Sequence, residues 1–123
     1  MTKDIFNQGM AVRREVLGEQ HVDRAESNKD EFTEEFQELI TKYAWGEIWT
    51  RPGLERKTRS CITLAMMIAL HREDEFKLHI KAALNNGLSK DEIKEVILQS
   101  AIYAGVPAAN SAFHWAQDVF NNL

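Results

Sequence analysis

Arg72, Glu75 and His79 are the residues whose types and spacing best suit acid–base chemistry in this chain. At roughly 100° per residue, Phe76, Ile80, Ala83 and Leu84 make a core face, and the three polar residues run along one edge of it. Glu75 and His79 stand at i and i+4, where side chains meet on a helix. An imidazole half-sheltered beside a guanidinium and a carboxylate can hold or release a proton near neutral pH. The same row also reads as charged residues that merely support their helix, and spacing alone prefers that plainer reading.

Other chemistries find less support. Metal binding would need more than Glu75 and His79 with His71 or His114 nearby, and there is no His-x-x-x-His or Glu-x-x-His pair. No Gly-x-Ser-x-Gly surrounds a serine, and no glycine-rich loop could cradle a phosphate. Trp45 and Trp49 read first as packing residues; beside Arg51 they could instead wall an apolar pocket with a cationic anchor. His114 and Trp115 read as structural, and His21 as exposed. The single cysteine, Cys61, excludes an internal disulfide or a Cys-x-x-Cys redox pair and reads as a small buried apolar residue.

These residues need helices to place them. The chain has 123 residues, the size of one domain (1–123), with 44% hydrophobic and 28% charged residues. Only two prolines occur, and helical periodicity dominates, so the expected fold is all-α with about six helices. They are expected over Asp4–Leu17, Asp30–Ala44, Glu55–Leu70, Arg72–Asn86, Lys90–Ala104 and Ala108–Asn121. Glu19–Lys29 reads as an exposed connection, and Trp45–Leu54 as an aromatic-rich loop. Ser89-Lys90-Asp91-Glu92 is a capping box, Gly87 a stop signal, and Pro107 suits a first helical turn. From Cys61 onward the third long helix is apolar on nearly every face, which places it at the centre of the fold or between subunits.

A formal net charge of -4 without a basic stripe argues against nucleic-acid binding. The run Cys61–Leu70 is about half a membrane span, and Met1–Ile5 has no signal-peptide character. The expectation is a cytoplasmic protein with no membrane partner. A domain this small has little room for a deep private cavity, so a neighbouring subunit is expected to help form any site.

Three blocks resemble 4-carboxymuconolactone decarboxylases of protocatechuate degradation. They are Arg13–Glu19 with His21-Val22; Tyr43–Leu54 continuing through Thr58-Arg59-Ser60; and Arg72–Glu75 through His79 to Asn85-Asn86-Gly87, then Tyr103–Asn110. The Trp-Gly-Glu-x-Trp-x-Arg-Pro-Gly-Leu block is specific, whereas Tyr-Ala-Gly-x-Pro is shared more widely. In the wider superfamily, alkylhydroperoxidase-D-like proteins use Cys-x-x-Cys-x-x-x-His and an upstream Glu. Here Arg72 and Glu75 stand at the cysteine positions, His79 at the histidine and Ser60 at the glutamate. His71 stands where the resemblance implies a glycine, which bears on the exact substrate.

The resemblance implies an alkylhydroperoxidase-D-like helical subunit in a ring-like homo-oligomer, a hexamer, working without metal or cofactor. It implies decarboxylation of an unsaturated lactone dicarboxylate in the beta-ketoadipate pathway. On this reading His79 donates a proton, Glu75 orients it, and Arg72 or Ser60 meets an oxyanion. Arg51 or Arg59 holds the retained carboxylate, and Trp45, Trp49 and Tyr103 form apolar walls. Two alternatives stand beside it: a related enzyme acting on another small acid or a hydroperoxide, and a non-catalytic helical oligomer that binds a small anion.

Overall fold

A computed structural model describes residues 2–123, and the regular structure within them is entirely helical. The helices are α1 (Thr2–Leu17), α2 (Glu19–Ser27), α3 (Glu34–Ile40), a π-helical segment (Thr41–Ile48), α4 (Arg56–Leu70), α5 (Glu73–Asn85), α6 (Lys90–Ala104) and α7 (Val106–Asn121). They form two compact units, one ending at Glu55 and one spanning Arg56–Leu123.

In the first unit the expected elements need three corrections. Glu19–Lys29 is not an open connection: α2 occupies most of it and fully buries Val22. Gly18 makes this possible with φ 95, a conformation that costs glycine little. The helix expected from Asp30 starts four residues later. The Asp30 carboxylate accepts the backbone amides of Phe32 and Thr33 at 3.0 and 3.1 Å, closing a turn before α3. Finally, the helix does not stop before Trp45. Its hydrogen-bonding pattern widens at Thr41 and continues as a π-helix through Ile48, leaving a shorter loop than expected.

The π segment lies against α1 at two glycines, Gly9 and Gly46, where backbone approaches backbone. Beside them Arg13 is buried at 3% exposure. Its guanidinium donates to Gln37 Oε1 at 3.0 Å and Thr41 Oγ1 at 3.3 Å, and lies 3.8 Å from a Glu26 carboxylate oxygen. Burial pushes the Arg13 pKa down, with Glu26 opposing. Such a group is retained only where hydrogen bonds replace its lost water.

The second unit packs α4–α7 around Leu64, Ile68, Phe76, Ile80 and Ile97, with Ala109, Ala112 and Ala116 of α7 allowing close helix approach. Fully burying Phe76 is worth about 1.5–3 kcal/mol. The capping box forms as expected: Ser89 Oγ accepts from Glu92 N at 3.0 Å, and Glu92 accepts from Ser89 N at 2.9 Å. Helix α7 starts at Val106, with Pro107 in its first turn.

His71 explains its own oddity. It sits between α4 and α5 with φ 60, a conformation natural to glycine. A side chain there costs about 1–2 kcal/mol. The imidazole packs edge-on to Trp115, with ring centroids 5.1 Å apart. Such a contact offsets about 0.5–1.5 kcal/mol of that strain.

Helix α4 packs centrally in this unit, one of the two places expected for it, but only along one face. Leu64 and Ile68 are fully buried, while Ile62, Met66 and Leu70 are 40%, 56% and 67% exposed. Cys61 is half-buried rather than buried, and desolvation raises its pKa.

Candidate active site

Helix α5 gathers the polar row in the second unit. Arg72 is its N-cap, Glu75 lies in its first turn, and His79 one turn further on. Arg72 Nη2 donates to Glu75 Oε1 at 2.6 Å. That hydrogen bond is the main cause holding the Glu75 carboxyl below its ordinary pKa; the Glu75 backbone amide assists, and the His79 ring adds a smaller electrostatic pull. The same bond raises the Arg72 pKa. Arg72 is exposed and Glu75 partly so, whereas His79 is half-buried with its Nδ1 shielded from water. Around the helix, His79 falls within the arc occupied by buried Phe76, Ala82 and Ala83, closer to the core than an edge position.

The remaining expected residues of this unit separate. Arg59 on α4 is half-buried, with Nε shielded from solvent. Ser60 is fully buried, and its hydroxyl accepts from Asn86 Nδ2 at 2.9 Å. Ser60 therefore lies beneath the surface and meets the end of α5, without a place on the Arg72–Glu75 pair. Tyr103 is 85% exposed on α6. It borders a groove of about 340 Å³ between α4 and α6, lined also by Ile62, Ala65 and Ala69. Those α4 residues point away from the direction of Ser60, so within one chain Tyr103 stands apart from the α5 row.

In the first unit, the π segment brings Trp45 and Trp49 together with ring centroids 5.1 Å apart and planes at 31°. The widened π turn nearly superimposes i and i+4, and such insertions recur at functional sites. Trp45 is buried, Trp49 half-buried, and Arg51 is exposed in the loop that follows. The Arg51 backbone amide donates to Ile48 O at 3.1 Å.

Among the described residues, no three His, Cys, Asp or Glu side chains converge on a common point suited to a metal ion. None of the helices there is long and apolar enough to cross a membrane. Asn86, quoted in the sequence only within a block and given no role there, is the partner that the structure gives Ser60. It stands seven residues beyond His79 and so on the same side of α5.

The charge pattern has a consequence for acid stability. Glu38, Glu75 and Glu92 all have depressed pKa values, held chiefly by Lys42, by Arg72 and by the Ser89 backbone amide, respectively. Groups depressed on folding contribute stability above their unfolded pKa, which is 4.5 here, and lose it as pH falls through the lower folded values. A melting temperature roughly level from neutrality to about pH 5 and falling steadily below about pH 4.5 is expected. A flat melting temperature between pH 5 and pH 3 would contradict this.

Residues 34–118 match the carboxymuconolactone decarboxylase family, and the chain belongs to that family. It is 52% identical to the 4-carboxymuconolactone decarboxylase of Acinetobacter baylyi, over 96% of this chain and 88% of that protein. It is 42% identical to the nitrosuccinic acid decarboxylase of Metarhizium robertsii, over 97% of this chain and 83% of that one. A 4-carboxymuconolactone decarboxylase of Pseudomonas putida is 49% identical over 37% of this chain and 94% of its own length.

Proposed function

We propose that this protein is a carboxy-lyase that converts 4-carboxymuconolactone to 3-oxoadipate enol-lactone and CO2 in protocatechuate degradation. The observation that carries this reading is the 52% identity, along nearly the whole chain, to a protein of that activity. The α5 row supplies groups suited to the chemistry.

The substrate is an unsaturated five-membered lactone with two carboxylates. The bond from the ring carbon to one carboxylate breaks, and its electron pair moves through the ring double bond to the lactone carbonyl. The resulting dienolate takes a proton on the carbon beside that carbonyl. The ring is its own electron sink, so the reaction calls for no metal, pyridoxal or thiamine. His79 delivers the proton. Glu75, one turn before it on α5, orients the imidazole. Arg72 meets the growing negative charge, a role in which one donor is typically worth about 3 kcal/mol. Ser60, being buried, serves indirectly. Arg51 or Arg59 pairs with the retained carboxylate through a planar guanidinium, and Trp45 and Trp49 offer apolar walls.

The working form is a cytoplasmic homo-oligomer, a hexameric ring. Supporting this, Ile62, Met66 and Leu70 of α4, Ile102 and Tyr103 near the end of α6 and Val106 at the start of α7 leave apolar surface uncovered in one chain. Tyr103 then serves a site in a neighbouring copy.

The test is incubation of purified protein with 4-carboxymuconolactone, following CO2 and enol-lactone without added metal or cofactor. Rapid turnover is expected. A folded oligomer without turnover would reject this substrate. The nitrosuccinic acid decarboxylase relative makes other small carboxylic acids the next substrates to try.

A further inference from the structure

Among its hydroxyl side chains, this protein repeatedly uses one pattern: bonding back to the carbonyl four residues earlier. Thr41, Thr50, Thr63 and Ser100 all donate this way, at 2.5–2.9 Å. Ser60 instead accepts from the Asn86 carboxamide at 2.9 Å, across 26 residues, with its own side chain fully buried. A buried hydroxyl is a costly way to join two helices that already pack through Leu64, Phe76 and Ile80. What it achieves is to fix the carboxamide. One N–H of Asn86 is spent on Ser60, while the other N–H and the carbonyl oxygen keep their hydrogen-bonding capacity.

That carboxamide sits at a telling place. Asn86 follows His79 by seven residues, two turns along the same side of α5 and roughly 10 Å along the axis. The intervening positions on that side are Ala82 and Ala83, both fully buried. Asn86 is only half-buried, so its free edge is not confined to the core.

We propose that Asn86 is a substrate-binding residue that donates its second carboxamide N–H to a substrate oxygen, and that Ser60 is a positioning residue acting through Asn86. This rests on the decarboxylase reading with His79 as proton donor. It gives buried Ser60 a role that needs no direct contact with substrate. A neutral donor suits this end of the row, since it orients a carboxylate without adding strong uniform binding that would not speed the chemical step.

The experiment is a steady-state cycle of wild type, Ser60→Ala, Asn86→Ala and the double variant, with 4-carboxymuconolactone and with melting temperatures recorded for each. Asn86→Ala is expected to lower kcat/KM by about tenfold to a hundredfold, as for a lost hydrogen bond to a charged group. Ser60→Ala should lower it by less. The double variant should match Asn86→Ala, because a residue acting only through another adds nothing once that other is gone. Neither side chain titrates, so the shape of the pH profile should not change in any of the three. Asn86→Asp should bind more weakly still, placing a negative charge against the substrate carboxylate. Turnover within twofold of wild type by folded Asn86→Ala overturns the proposal, as do additive losses in the double variant. Wild type without turnover removes the decarboxylase reading and this inference with it, a different result from an active wild type with an equally active Asn86→Ala.

Discussion

Replacing His79 by alanine is expected to lower kcat by on the order of a hundredfold or more while leaving the fold intact. The loss follows from the chemistry of the last step. Decarboxylation delivers an electron pair to the ring, but the product forms only when carbon receives a proton. His79 is the imidazole of the α5 row, half-buried and electrostatically coupled to Glu75. Removing it leaves Arg72, whose guanidinium stays charged and is a poor proton donor at neutral pH, and Glu75, whose carboxyl is held ionised by Arg72. Water then has to serve. His79→Gln keeps a hydrogen-bond donor but no transferable proton, and should fall nearly as far as the alanine variant. The readout is lactone consumption against pH, with the product analysed in D2O. A His79→Ala enzyme within threefold of wild type would move the proton-donor role to another residue and leave His79 a packing residue of α5.

How much of this was legible beforehand divides by the range of the forces involved. Local signals read correctly: the Ser89–Glu92 capping box, the stop at Gly87 and the helical rows of the second unit all depend on neighbours within a turn or two. The apolar run of α4 was also visible and allowed a central place, which Leu64 and Ile68 take; that Ile62, Met66 and Leu70 stay exposed was not. The first unit was read less well. Val22 alone gives little reason to fold Glu19–Ser27, whose remaining residues are mostly polar; tertiary burial decides it. Nothing in Thr41–Ile48 announces a π-helix, which arises where the chain must lie against α1. Arg13 was quoted only as part of a motif, since its burial depends on Gln37, Thr41 and Glu26, each at least 13 residues away. Within the candidate site, the Arg72–Glu75–His79 row follows from helix geometry. Ser60 was assigned through resemblance, and its bond to Asn86 spans 26 residues that no periodicity connects.

The meeting of α1 with the π segment yields the largest stability effect expected for one methyl group. Gly9 lies inside a helix, where alanine ordinarily stabilises by about 1 kcal/mol. Here the sign should reverse. A Cβ on Gly9 would overlap the Thr41 carbonyl oxygen and lie 2.8 Å from the backbone nitrogen of Gly46. Both obstacles are backbone, so no rotamer change relieves them, and α1 must move off the π segment. Because Arg13 is one turn further along α1, that movement also pulls its guanidinium from Gln37 and Thr41. Overpacking commonly costs about 1–3 kcal/mol, and a buried charge losing its partners costs about 3–5 kcal/mol. Gly9→Ala is therefore expected to destabilise by at least about 3 kcal/mol, lowering the melting temperature by roughly 10 °C or more. Gly46→Ala should behave similarly, since its Cβ would lie 2.6 Å from the Ile5 carbonyl oxygen. Gly53 is the internal control: nothing lies within 4 Å of a Cβ there, and Gly53→Ala should stay within about 0.5 kcal/mol of wild type. Chemical denaturation of the three variants separates the cases. Equal stability of Gly9→Ala and Gly53→Ala would mean that α1 and the π segment do not pack through their backbones. The Trp45–Trp49 pair, which the π turn brings together, would then lose its structural explanation.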